Sequence, residues 1–187
     1  MRSASVKSGK PRRRPPTVVI PISAGFAPIS SPAARVLILG SLPGTESLRR
    51  QQYYARAHNA FWQIMGELLG FAHDLPYAER IGALLAHDVA LWDVCAAARR
   101  SGSLDSATDL TSVQTNDFAS FYAGHPHIAL ICFNGAKAAD LYKRRVRPSL
   151  DTGAANITSL ILPSTSPAHA ARSYRDKKAA WDIIRKR

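Results

Sequence analysis

The stretch RVLILGSLPGTESL, residues 35–48, decides the fold class of this chain. VLILG carries no polar side chain. An unbroken aliphatic run of strand length, without polar alternation, reads as a strand covered on both faces, which is the habit of parallel sheets. The run stops abruptly at Gly-Ser-Leu-Pro-Gly. Ligands of open parallel sheets bind beyond the carboxyl ends of the strands, so this loop is a first candidate binding element. Gly40 and Gly44 permit close approach of the backbone to a ligand and a positive φ, and Pro43 stiffens the turn. The loop lacks the Lys-Ser/Thr of a P-loop and the third glycine of G-x-G-x-x-G. Taken alone, a structural turn explains it as well as a binding loop does.

The same pattern recurs down the chain. VALWDV (89–94), HIALICFNG (127–135) and SLILPSTSP (159–167) each read as a strand, the last two running into a loop of Asn, Gly, Ser, Thr or Pro. Between them, Phe61, Ile64, Met65, Leu68 and Leu69 fall at helical spacing over 59–69. Further helices are expected over 77–86, from the capping residues at 115–118 through 122, over 136–145 and over 174–186. RRSGSLDSAT (99–108) reads as a polar loop. Four aliphatic strands alternating with helices indicate an α/β fold with a mainly parallel sheet, its distinctive loops gathered at one edge.

With 187 residues and 46% apolar content, the chain suits one domain with a hydrophobic core. Residues 1–16 hold Arg2, Lys7, Lys10, Arg12, Arg13 and Arg14, several prolines and no acid. They read as a basic arm, and we expect an arm over 1–23 and a folded domain over 24–187. The Pro-broken segment after the arm is no signal-peptide core, and no run is long enough to span a bilayer. A cytoplasmic protein is expected, nucleoid-associated if bacterial, with organelle targeting by the arm left open. The formal charge is +12, of which the arm supplies half, so the remaining field also favours a polyanion, nucleic acid being the commonest. Cys95 and Cys132 sit among apolar residues and read as buried thiols. They lack the spacing of a zinc or iron–sulfur site, so no metal or cofactor is expected.

Three other segments carry candidate chemistry. QQYYARAHNAFW (51–62) places tyrosines, Asn59, Phe61 and Trp62 together; aromatics beside a basic surface stack on unpaired bases, although Asn59 as a helix cap and Phe61 as core explain the pattern equally. Asn134, at the end of a buried strand, offers an amide able to read a base edge or to make an Asn-Gly turn. PSTSPAH (163–169) is rigid and hydroxyl-rich, suited to phosphate oxygens.

In this order, GSLPG, QYYA with NAFW, LWDV, FNGAKA and LPSTSPA resemble the uracil-DNA glycosylase superfamily, and within it the hypoxanthine-DNA (deoxyinosine) glycosylase branch. The resemblance runs from about Gly25 to the C-terminus. It implies a three-layer α/β/α sandwich with a short sheet of about four strands, and an enzyme of base excision repair that flips a deaminated base out of DNA and hydrolyses its N-glycosidic bond without metal or cofactor. By the same resemblance Gly40, Ser41 and Asn59 serve catalysis. Leu42, Pro43, Tyr54, Phe61 and Asn134 serve the base, Phe61 as its stacking face. Gly44, Ser47, Ser164, Thr165, Ser166, Pro167 and His169 serve the DNA backbone. The sequence departs from the superfamily at Leu42, where many members carry Asp or Asn to orient the water; Asn59 is the substitute expected here. His58 also stands where Arg is expected in this branch. The partner implied is DNA with a deaminated base, bound by a monomer and not at a membrane. A nucleic-acid-binding protein without catalysis and a small-molecule nucleotide hydrolase remain as alternatives.

Overall fold

The computed structural model describes residues 22–99 and 109–186. Its elements begin with β1 (Ile22–Ala24), β2 (Val36–Gly40), α1 (Thr45–Arg50), α2 (Phe61–Leu69), α3 (Tyr77–Ala86), β3 (Val89–Asp93) and β4 (Cys95–Arg99). They continue with β5 (Gln114–Thr115), α4 (Phe118–Gly124), β6 (Leu130–Asn134), α5 (Ala136–Leu141), α6 (Thr152–Ala155), β7 (Thr158–Leu162) and α7 (Tyr174–Trp181).

The four aliphatic strands form the expected parallel sheet, in the order β3-β2-β6-β7. Alternate residues of each central strand point to opposite faces, and the core divides accordingly. Val36, Ile38, Val89, Leu91, Leu130 and Cys132 join Phe61, Trp62, Met65, Leu84 and Trp181 on the side of α2, α3 and α7. Leu37, Leu39, Ala90, Trp92, Ile131 and Phe133 join Phe118, Phe121, Leu141 and Tyr142 on the side of α4 and α5. The result is a three-layer α/β/α sandwich. On the second side a hydrogen bond between the Tyr122 and Tyr142 hydroxyls, at 2.7 Å, satisfies two otherwise costly buried polar groups.

Several local expectations change. A second, antiparallel sheet of order β1-β4-β5 has no counterpart in the sequence reading; Cys95–Arg99 is built of small residues with no strand-like pattern. Arg99 therefore belongs to a strand rather than a loop, and residues 100–108 lie outside those described. Ile22 and Ser23 pair with Arg99 and Ala98, so the folded domain includes Ile22; residues 1–21 lie outside the description. Strand β7 is less covered than its sequence suggests: it sits at the sheet edge with Ile161 62% exposed and only Leu162 buried. Helix α1 is a further addition; Glu46 in its first turn pairs with Arg49 and Arg50. Those guanidiniums hold the Glu46 carboxyl down at about 2. The helices expected over 136–145 and 174–186 tighten or widen before they end, into a π turn at Tyr142–Val146 and a 3-10 turn at Asp182–Lys186.

Candidate nucleic-acid interface and active site

The pairing registers align Asp93 with Gly40 and Asn134 with Leu162, which brings four parallel strand ends to one edge. A cleft of about 830 Å³ opens there. It is large enough for a purine nucleoside within the size range of ligand sites. Gly40, Ser41, Leu42, Pro43, Gly44, Ser47, Tyr54, Asn59, Asn134, Ser164, Thr165, Ser166 and His169 all line it, while Phe61 and Pro167 do not.

At the centre, an added Cβ on Gly40 would fall far inside van der Waals contact with Asp93 Oδ1 and 3.0 Å from the Tyr54 hydroxyl. Close approach, not positive φ, is what requires glycine there. Gly44 has φ −72° and nothing within 4 Å of an added Cβ, so neither constraint applies to it. Among the described glycines, positive φ occurs at Gly70 and Gly135; Gly135 turns the chain after Asn134 and passes against Ser164. Leu42, where the resemblance implies a polar residue in many members, is 7% exposed and packs into the core on the α4 and α5 side.

Phe61, expected as the stacking face, is fully buried. Its ring packs edge-on against Trp181 at 6.0 Å and is stacked by Tyr54 at 4.1 Å between centroids. Tyr54, half-buried and lining the cleft beside the more buried Tyr53, is therefore the member of this stack that meets the cleft. Its backbone is left-handed (φ 54°), a conformation costly for a bulky side chain and typical of functional loops. Beside it, burial, with the charge of Asp93 nearby, pushes the Tyr53 hydroxyl well above its ordinary range, leaving it neutral.

Asn59 sits just before α2 and accepts a hydrogen bond on Oδ1 from the Phe61 N–H at 3.0 Å. One oxygen lone pair fixes the amide at the helix start, and the residue remains half-buried at the cleft wall. Asn134 is tied more firmly than a free base reader: its Nδ2 donates to Thr165 Oγ1 at 2.9 Å and its Oδ1 accepts from the Thr165 N–H at 2.8 Å. Each end of the amide still has capacity for one further bond. Thr165 is 1% exposed, and its carbonyl accepts from the Ala60 N–H at 3.0 Å. It acts as a staple between β6, the 163–169 loop and the start of α2, rather than as a phosphate contact. Ser47 is likewise occupied, 6% exposed with its Oγ accepting from the Ala55 N–H at 3.3 Å.

Ser164 and Ser166 turn the next loop, their Oγ atoms accepting from the Ser166 and Ala168 N–H groups at 3.3 Å. Lys177, 6% exposed, donates to the Ser166 carbonyl at 3.3 Å, and burial draws its ammonium below the usual range. Trp181 Nε1 donates to the Pro163 carbonyl at 2.9 Å. Pro167 lies away in a smaller recess that Asn59, Thr165 and Lys177 also border.

Sequence reading missed Asp93, Arg56 and Arg172 as cleft residues and gave Lys137 no role. Arg56 and Arg172 are exposed cations at the cleft, with Lys137 in the first turn of α5, and such groups suit phosphates. Asp93 is 3% exposed at the end of an otherwise apolar strand. Its only sequence signal is an acid closing an aliphatic run.

A family model described as the uracil DNA glycosylase superfamily matches residues 27–185. Hypoxanthine DNA glycosylase of Methanosarcina acetivorans is 34% identical over 164 residues, covering 87% of this chain and 98% of its own. The Methanosarcina barkeri protein of the same name is 34% identical over 158 residues, 84% of this chain and 94% of its own. A solution NMR structure from M. acetivorans, described as a candidate uracil DNA glycosylase, superposes with a TM-score of 0.73 at 34% identity, covering 88% of this chain and 98% of that one. A family match over most of the chain, together with relatives aligned along almost their whole length, means that this chain belongs to the uracil DNA glycosylase superfamily.

Proposed function

We propose that this chain is a monofunctional DNA glycosylase that hydrolyses the N-glycosidic bond of a flipped-out deaminated base, hypoxanthine foremost. The observation that carries the reading is one cleft at the strand ends, with Tyr54, Asn59, Asp93 and Asn134 inside it and Arg56, Lys137 and Arg172 around it. A base must leave the stack before its glycosidic bond can be reached, at a cost of a few kcal/mol that the pocket offsets. The Tyr54 ring, backed by Phe61, supplies a stacking face. The cations hold phosphates on either side of the extruded nucleotide.

Asn59 is the group that orients the water. With its Oδ1 held by the Phe61 N–H, the amide keeps one geometry. It needs no proton transfer to act, because the sugar develops oxocarbenium character as the bond to the base lengthens. The water oxygen bonds to C1′, the pair of the broken C–N bond leaves on the base nitrogen, and the water's proton is released to solvent.

The test is single-turnover cleavage, read after alkali, of oligonucleotides carrying one deoxyinosine, deoxyuridine or deoxyxanthosine. Wild type should cleave deoxyinosine, and Asn59→Ala should lose at least a hundredfold in rate while still binding DNA. Full activity of Asn59→Ala would remove Asn59 from the reaction. Salt-sensitive binding by wild type, with no cleavage at any base, would leave a DNA-binding protein without this chemistry.

A further inference from the structure

Asp93 has no part in the mechanism above, yet it is a carboxyl side chain only 3% exposed in the lining of the cleft. A carboxyl group is seldom buried without a task that keeps it there, and a buried titratable group in the lining of a ligand cleft is a candidate for function. Depth limits its task. Asn59, half-buried at the wall, is the more exposed of the two, and the sugar of a flipped nucleotide stays with the strand at the open side. Asp93, buried where Asn59 is half-buried, is placed to meet the far edge of an inserted base.

The sheet order places β2 between β3 and β6, so Gly40 stands between Asp93 and Asn134. Strands two apart are separated by roughly 9.5 Å. The glycine leaves the space over the middle strand open, and the Asp93 carboxylate folds into it, against Gly40 and toward the Tyr54 hydroxyl. An acceptor-only carboxylate and an amide thus stand on the strands either side of Gly40, at the same sheet edge and in the lining of the same cleft.

We propose that Asp93 reads the ring N–H that deamination creates. Adenine N1 and cytosine N3 are bare lone pairs; in hypoxanthine and uracil the same positions carry a hydrogen. An ionised carboxylate accepts from that N–H in a charge-assisted bond and repels the lone pair of the parent base. Asn134, through its remaining Nδ2 hydrogen, donates to the adjacent carbonyl. Guanine and thymine also carry this N–H, so Asp93 accounts for rejection of adenine and cytosine, and guanine must be refused at its 2-amino group and thymine at its 5-methyl group by other contacts.

The inference rests on the glycosylase reading. Its test uses full-length protein and duplexes whose central nucleotide carries 2′-fluoroarabinose, which resists cleavage, bearing either hypoxanthine or unsubstituted purine, which has a lone pair at N1. Wild type should bind hypoxanthine at least tenfold more tightly than purine. Asp93→Asn, which can donate as well as accept, should shrink that ratio at least fivefold, and deoxyinosine excision should fall at least tenfold. If Asp93 serves only to pack Gly40, both bases weaken alike and the ratio stands, which overturns the proposal. Equal wild-type affinity for the two bases overturns it even if the variant does not fold. Absence of excision of any deaminated base by wild type is a different failure, that of the glycosylase reading itself.

Discussion

Gly40→Ala probes the centre of the site with one methyl group. The backbone at Gly40 is ordinary strand, so alanine meets no torsional strain; the objection is space. Its Cβ would lie within 3.0 Å of Asp93 Oδ1 and at 3.0 Å from the Tyr54 hydroxyl, where ordinary contact begins at 3.4 Å. The carboxylate, itself only 3% exposed, must therefore retreat by more than 0.4 Å. Overpacking of this kind costs about 1–3 kcal/mol, which for a domain of this size lowers Tm by about 2–12 °C. The cost should depend on Asp93. In an Asp93→Gly background the worst clash is gone and only the 3.0 Å contact with the Tyr54 hydroxyl remains, so a double-mutant cycle by thermal or urea unfolding should give a coupling of about 0.5–3 kcal/mol. Gly44→Ala, with no atom near the new Cβ, should change stability by less than about 0.5 kcal/mol. Additive costs of Gly40→Ala and Asp93→Gly, or an unshifted Tm in Gly40→Ala, would refute the close packing of Asp93 on Gly40.

Phe61→Ala should act through the core, costing about 3–5 kcal/mol, whereas Tyr54→Ala should cost less stability and more affinity for a flipped base. Melting curves beside binding of a duplex with one uncleavable deoxyinosine would separate them, and a Phe61→Ala protein that melts like wild type but fails to bind would reverse the assignment. Removing residues 1–21 takes away six basic residues while sparing β1. The slope of log affinity against log salt should flatten by at most about 5, near 0.9 for each phosphate no longer neutralised, with the single-turnover rate unchanged at saturating protein. A collapse of that rate would make the arm part of the site.

The legible part of the site was the part written in short contiguous motifs. Gly40 to Gly44, Asn59, Asn134 and Ser164 to Ser166 each follow or precede a recognisable element, and the cleft unites them. Phe61 was misplaced because helical spacing shows that a residue is buried without showing whether a neighbour such as Tyr54 stands between it and the ligand. Thr165 read as a surface hydroxyl because its partner, Asn134, is 31 residues away.

By itself the sequence determined the parallel sheet and the edge on which the site lies, because unbroken aliphatic strands and helical spacing are local signals, repeated within a few residues. It did not determine the strand order β3-β2-β6-β7, nor the antiparallel sheet of β1, β4 and β5. Those depend on pairing between distant segments, for which Cys95–Arg99 carries no local pattern. Asp93 shows the difference most directly. In the chain it is an acid at the end of an aliphatic run; only the register that sets it beside Gly40, where the missing side chain leaves space, brings it into the lining of the cleft.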